Sequence, residues 1–375
     1  QERLKEHGVE ARLVHNEDNT KANLLATIGP MVEGGVVLSG HTDVVPIDDQ
    51  DWKTDPFALA EKDGKLFGRG TCDMKGGLAA SVIAVEALLE SGVSFPGAIE
   101  ISGTVDEESG GYAGVAWLAE RGHFSKPRVD HVIIPEPLYK DAVCLGHRGV
   151  WWAEIEVRGR IAHGSMPFLG VSAIRGMAAF LEKVEHELYP QLAQRRTAMP
   201  VIPDAARQST LNFNSIHGGL DEQDMREGFP SALVADRCRV VLDRRYLMEE
   251  DEAEVRAEVV EILDRLTAER DEFAYELREL WSVPPTLTAP DSPLVRALDR
   301  NIERVLGTPS RHVASPGTYD QKHVWRVGKL KDCVAYGPGI LELAHQPDEY
   351  IDIDDMAVSA KVMAAAALEL LRGSE

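Results

Sequence analysis

The sequence predicts an α/β protein built on a mainly parallel central sheet, with a second α+β domain inserted into it. Three observations carry this. Short β-branched runs that end in glycine-rich turns alternate with helical stretches over the first 148 residues. From about Gly149 the order becomes strand, helix, two strands, helix, strand. After a proline-rich stretch, from about Ser292, the chain is α/β again. Alternating β and α segments place helices over a parallel sheet, and the βαββαβ order is the signature of a ferredoxin-like unit. The expected division is a discontinuous domain, 1–148 and 284–375, around an inserted domain at 149–283.

The elements follow in order. QERLKEHG reads as mid-helix, which leads us to expect a native start upstream of it. GGVVLSG and AIEISGTV read as strands. Between them LAASVIAVEALLESG has apolar residues at helical spacing and a Ser-Gly stop. HVIIPEP reads as a further buried strand. WWAEIEVRG alternates like a half-exposed strand, whose edge we expect to pair with a second copy of the chain. VSAIRGMAAFLEKVEHELY is an amphipathic helix, and STLNFNSIHGG and DRCRVVLDRRYL alternate as strands. EEDEAEVRAEVVEILDRLTAE is a second helix with acids in its first turn, where the dipole favours them. FAYELREL closes the inserted set, VPPTLTAPDSP reads as a return linker, and MAAAALELLRG ends the chain as a helix.

Bulk properties narrow the function. At 375 residues the chain suits two domains, and 44% apolar with 27% charged residues is the make-up of a globular protein in water. A formal net charge of −22 argues against a nucleic-acid partner. No apolar run approaches the length of a membrane helix, so no membrane partner is expected. Cys72, Cys144, Cys238 and Cys333 form no C-x-x-C pair, which fits reduced thiols and a cytoplasmic location.

In an α/β sheet, ligands bind beyond the carboxyl ends of the strands. His41, Glu107 and Glu136 each follow a predicted strand and converge on that edge. His41 and Asp43 share a face of an extended segment, so Asp43 can hold the second ring nitrogen of a metal-bound His41. Asp73 lies between GRG and KGG, where a carboxylate can bridge two ions; its plainer reading is a helix N-cap. Glu107 and Glu108 are adjacent and can divide the tasks of ligand and base. Glu136 is held between two prolines, and His345 lies in a glycine-containing loop far along the chain. Imidazole and carboxylate suit borderline and hard divalent metals, and a hydrolytic site needs a spare carboxylate. These residues predict a metal-dependent hydrolase. In the inserted domain, His163 and His217 read by default as turn histidines, and one of Arg244 and Arg245 can grip a substrate carboxylate. Gly317, Thr318 and Asp320 sit in a loop expected to expose backbone N–H groups.

HTDVVP, GRGTCDMKGG, DEESGG, PEP, GRIAHGSMP, GTYD and AHQPDEY, in this order, resemble the M20 family of metallopeptidases and deacylases. The resemblance covers nearly the whole chain and points to the acetylornithine deacetylase and succinyl-diaminopimelate desuccinylase branch. It implies a zinc-peptidase-like catalytic domain with a lid and dimerisation domain inserted. It implies two divalent ions per chain, zinc first and cobalt second, sharing Asp73. His41 and Glu136 complete one ion, Glu108 and His345 the other. Glu107 is then the general base, Asp43 orients His41, and the Asp73–Met74 bond is cis. His163 reaches the partner subunit's site in a homodimer, and Arg245 grips the substrate carboxylate. Gly317 and Thr318 line the substrate. Where some relatives place an asparagine before the I-H-x-G segment, this chain has Ser215. The implied reaction removes a short acyl group, acetyl or succinyl, from an N-acyl amino acid in amino-acid biosynthesis. A dipeptidase or carboxypeptidase of the same family is the alternative. A carbamoylase is disfavoured by the intact Glu107–Glu108 pair, and a non-catalytic metal-binding protein by the complete ligand set.

Overall fold

The structure is a computed structural model, and it describes residues 1–30, 32–220 and 232–373. The described chain forms two compact units, Gln1–His147 with Thr286–Glu375, and Arg148–Pro285. The strands in chain order are β1 (Ala11–His15), β2 (Ala22–Ile28), β3 (Gly35–His41), β4 (Ala60–Lys62), β5 (Lys65–Phe67), β6 (Ile99–Thr104), β7 (Val129–Ile134), β8 (Ala142–His147), β9 (Gly149–Arg158), β10 (Thr210–Gly218), β11 (Arg237–Tyr246), β12 (Ala274–Val283), β13 (Thr286–Leu287), β14 (Arg311–Ser315), β15 (Cys333–Ala335) and β16 (Tyr350–Asp352).

In the first unit the large sheet runs β1-β2-β6-β3-β7-β15-β8-β13, with β14 added on β8. Its centre, β6-β3-β7-β15, is parallel. The edges are mostly antiparallel: β1 and β2 on one side, β13 against β8 on the other. Every residue of β3 and β6 is buried; β3 (GVVLSGH) reads as an apolar run, as strands covered on both faces do, whereas β6 (IEISGT) buries Glu100 and Ser102 beside its isoleucines. Helices Gly76–Glu90, Pro293–Leu306 and Ile353–Arg372 pack together through Ala80, Ala84, Leu298, Val362 and Ala366 in one apolar core. β1 and β2 have no counterpart in the sequence reading; the half-exposed ARLVH of β1 lacks an apolar run. The proline-rich segment is also more than a linker. β13 pairs with β8, and the Thr288 hydroxyl donates to the carbonyls of Cys333 and Lys331 at 2.6 and 2.9 Å.

In the second unit the sheet order is β10-β11-β9-β12, antiparallel throughout. Helices Ala173–Lys183 and Glu252–Glu269 complete the ferredoxin-like arrangement. The first is capped by Ser172 and the second by Asp251, each accepting backbone N–H groups. WWAEIEVRG is not an edge strand. β9 lies between β11 and β12, so β10 and β12 are the edges. Alternation reports that one face is exposed; it carries no information on which strands flank it.

Candidate metal centre

The parallel centre of the sheet brings four chain ends to one edge. β3 ends at His41, β6 runs into Glu107 and Glu108, β7 into Glu136, and β15 into the loop that carries His345. Asp73 lies in the turn just before helix Gly76–Glu90. That helix has no side-chain cap, so the N-cap reading of Asp73 does not hold. The Asp73–Met74 peptide is cis. Glycines make the close approach possible. A Cβ on Gly77 would fall 1.9 Å from the Pro135 carbonyl oxygen, and one on Gly337 2.4 Å from the same atom. The GG of DMKGG and the first glycine of GPG therefore seat the strand end that presents Glu136.

Asp73 turns one oxygen to each of two histidines. Its Oδ1 is 3.1 Å from His41 Nε2 and its Oδ2 is 3.3 Å from His345 Nε2. Glu136 Oε1 lies 3.9 Å from His41 Nε2, and Glu108 Oε1 lies 3.3 Å from His345 Nε2. Two donor groups thus share one carboxylate. The ligand atoms of His41, Asp73 and Glu108 all lie within 4.8 Å of one another. The set is imidazole nitrogen and carboxylate oxygen with no thiolate, which suits zinc and its first-row neighbours. Cys72, beside Asp73, is buried, and burial pushes its thiol far above the ordinary range.

Asp43 acts differently from the expectation. The backbone carbonyl of Asp43, and not its carboxylate, is the close partner of His41 Nδ1, at 3.0 Å. The carboxylate Oδ1 stands off at 3.6 Å, buried and without a hydrogen bond, while Oδ2 accepts the Glu108 N–H at 3.0 Å. Asp43 therefore ties the His41 strand end to the Glu108 turn.

The charges fit a cation. Burial and then the Asp73 charge push the Glu136 carboxyl well above the usual range. Burial also raises Glu108, against its hydrogen bond to His345. Burial would raise Asp73 too, but hydrogen bonds from His345 and His41 hold it well below. Bonds to Asp73 and Glu108 raise His345 to about 10. For His41, burial is outweighed by the Asp73 hydrogen bond and the Glu136 charge, so it too is raised. A buried carboxylate cluster that draws protons onto its histidines offers the environment a divalent ion takes over.

Glu107 stands apart from the histidines. Its Oε1 accepts from Lys322 Nζ at 2.6 Å; the lysine is buried and the glutamate half-buried. Burial would lower the Lys322 ammonium, but attraction to Glu107 and Asp320 raises it. Burial and the Glu107 charge bring the Asp320 carboxyl up to about 7. Lys322 carries no sequence signal, since a lysine in QKH reads as a helix-surface residue. The loop before it is less open than expected. The Gly317 N–H donates to Ser315 Oγ at 3.2 Å and is not a free donor, and Thr318 is half-buried.

His163 and Arg245 belong to the second unit. His163 is exposed, and its Nδ1 accepts the Ser165 N–H at 3.2 Å, with Ser165 Oγ at 2.7 Å. An amide can only donate, so the ring proton sits on Nε2, a tautomer able to donate outward. Arg245 holds Asp243 with two bonds of 2.6 and 3.0 Å. Its neighbour Arg244 is fully buried on Ser209, Glu250 and Glu258, which removes it as a substrate ligand.

Residues 37–369 match Peptidase family M20/M25/M40. An acetylornithine deacetylase of Photorhabdus laumondii is 30% identical over 96% of this chain and 86% of its own length. A probable succinyl-diaminopimelate desuccinylase of Staphylococcus epidermidis is 30% identical over 94% of this chain and 86% of its own. Among solved structures, an M20 family metallo-carboxypeptidase, Sso-CP2 of Sulfolobus solfataricus, superposes with a TM-score of 0.78 at 21% identity, covering 99% of this chain and 92% of that one.

Proposed function

The chain belongs to peptidase family M20/M25/M40, and from that premise we propose that it is a binuclear metal-dependent deacylase, removing an acetyl or succinyl group from an N-acyl amino acid. The observation that carries the reading is Asp73, with one oxygen on His41 and the other on His345. His41, Asp73 and Glu136 are the residues for one ion, and Glu108, Asp73 and His345 for the other; zinc is the first assignment and cobalt the second. Two divalent ions, when bound, supply Lewis acidity toward a water and the amide carbonyl. Glu107 takes the water proton and passes it to the leaving amine. Lys322 donates to Glu107 Oε1 at 2.6 Å and so orients the carboxylate, leaving Oε2 for the proton. His163 Nε2–H donates to the developing oxyanion, and Arg245, released from Asp243, grips the substrate carboxylate. Gly317 and Thr318 line the substrate loop.

The inserted unit is the lid and dimerisation surface of a homodimer. In support, edge strand β10 carries exposed Ile216, and the neighbouring helix carries exposed Ile174. Among the described residues no helix is long and apolar enough to cross a membrane. The four cysteines are free and buried, which supports a reducing cytoplasmic setting in amino-acid biosynthesis. The test is a hydrolysis screen of N-acetyl, N-succinyl and N-formyl amino acids and of dipeptides, with zinc-loaded and chelator-treated protein. Release of short acids only from the loaded form supports the deacylase. Cleavage of dipeptides alone transfers the assignment to a dipeptidase or carboxypeptidase.

A further inference from the structure

Two of the loops at the metal centre lie more than 270 residues apart in sequence, yet one buried ion pair joins them. Arg69 is the arginine of GRG and Glu349 the glutamate of PDEY; their side chains are 1% and 0% exposed. Arg69 Nη1 donates to Glu349 Oε2 at 2.6 Å. The other oxygen of Glu349 accepts the backbone N–H groups of Cys72 and Asp73, at 2.8 and 3.0 Å. Arg69 also reaches the opposite loop: Nη1 donates to the Gln346 carbonyl at 3.3 Å and Nη2 to the His345 carbonyl at 3.5 Å. Gln50 closes the ring, accepting from Arg69 Nη2 at 2.6 Å and donating to the His345 carbonyl at 3.0 Å.

The position of these bonds matters more than their number. His345 has φ +64°, a left-handed backbone that a non-glycine residue holds only where its surroundings impose it. Half of its side chain is exposed, so packing alone does not fix its ring. The restraint comes from the carbonyl side, through Arg69 and Gln50. Glu349 likewise fixes the backbone that aims Asp73. A planar guanidinium is suited to this, because it serves a carboxylate and two carbonyls at once.

We propose that Arg69 and Glu349 are positioning residues of the metal centre, a buried clamp that sets the distance between Asp73 and His345 and so makes the second ion position tight. The clamp touches no metal and no substrate. It rests on the binuclear reading above. Partners that orient metal ligands typically govern about 10- to 100-fold in metal affinity.

The experiment titrates zinc into the chelator-stripped full chain, by calorimetry, for wild type, Arg69→Lys, Glu349→Gln and the control Lys53→Met. Lys53 makes an exposed pair with Asp348 at 3.2 Å and touches neither clamp residue. Cobalt absorption spectra and melting curves of the metal-free forms accompany each titration. Arg69→Lys keeps the charge facing Glu349 but loses the arms to His345 and Gln346. It is expected to melt within about 4 °C of wild type, to keep one zinc tight and to weaken the other at least tenfold, with altered cobalt bands. Glu349→Gln is expected to weaken both, since an NH2 donor replaces one of its two acceptor oxygens and must face either Arg69 or the Cys72 and Asp73 N–H groups. Lys53→Met is expected to match wild type. Wild-type zinc affinity and cobalt bands in Arg69→Lys and Glu349→Gln overturn the proposal. So does a large loss of melting temperature with unchanged affinity, which assigns the pair to fold stability alone. Failure of the wild type itself to take up two zinc ions overturns the binuclear reading, and the clamp with it.

Discussion

Glu107 and Lys322 show how much one residue's role depends on its partner. The adjacent glutamates divide in space: Glu108 turns to His345 and Glu107 to Lys322. Glu107→Gln is expected to keep zinc binding and lose about 1000-fold in turnover, the scale of a lost acid–base group. Zinc titration and steady-state kinetics on the same preparation check this, and weakened zinc binding with turnover restored by excess zinc reverses the roles of the two glutamates. Lys322→Met leaves the half-buried Glu107 carboxylate without its hydrogen-bond partner, which costs about 1–3 kcal/mol. The double variant Lys322→Met/Glu107→Gln is expected to melt higher than Lys322→Met alone, because no unpaired carboxylate remains. Equal melting of the two shows that the lysine acts through packing and not through the carboxylate.

At the scale of elements, the site is made by strand ends and the glycines that let them meet. Gly77→Ala drives a methyl into the Pro135 carbonyl, and overpacking of this kind costs about 1–3 kcal/mol. Chemical denaturation of the metal-free chain measures the loss. Zinc affinity is expected to fall with it, since Glu136 rides on the displaced strand end; unchanged affinity separates the glycine from the site. A second expectation concerns the loop that carries His345. Its imidazole is held up to about 10 by bonds to Asp73 and Glu108, so at pH 7.5 it is protonated in the metal-free chain. A ligand imidazole must be neutral, and zinc uptake therefore releases protons and tightens as pH rises toward 10. In the metal-free chain the sign is opposite. The stabilising pair is fully present below the unfolded value of about 6.5 and is lost as pH rises through the folded value. Calorimetry in two buffers of different ionisation enthalpy counts the protons, and a count of zero sinks the expectation. These elements were unequally legible. A buried parallel strand such as β3 announces itself as an apolar run before glycine, and with it His41; β6 is marked instead by its isoleucines and the glycine-flanked glutamate pair that follows, since buried Glu100 and Ser102 interrupt its apolar pattern. The edge strands β1 and β13 do not, because half-exposed or two-residue strands carry no pattern. Arg69, Glu349 and Lys322 were invisible because a buried ion pair between distant segments leaves no local trace. For the same reason, the Asp43 contact fell on the wrong atom: spacing places a residue near His41 but does not choose between carbonyl and carboxylate.

At the scale of the whole molecule the expectation is that a site is completed by a second copy of the chain. In the second unit the His163 side chain is exposed and bonds Ser165 through Nδ1, while its backbone bridges Leu233. That leaves Nε2 able to donate to a group outside the turn. A closed two-fold dimer supplies such a group symmetrically, each copy lending one His163 to the other. Edge strands β10 and β12, and not the central β9, are available for pairing between copies, and β10 with its exposed Ile216 is the one expected to pair. The expectation is that His163→Ala and Glu107→Gln homodimers are each nearly inactive, and that mixing them restores activity. A hybrid dimer has one site with both an intact Glu107 and the partner's donor. Random exchange makes about half the dimers hybrid, each with one working site of two, so recovery approaches roughly a quarter of wild type. Exchange is followed independently by mass spectrometry of a size-tagged copy. A monomer at working concentration, or no recovery once exchange is complete, assigns His163 to its own chain's turn and leaves each chain to complete its site alone.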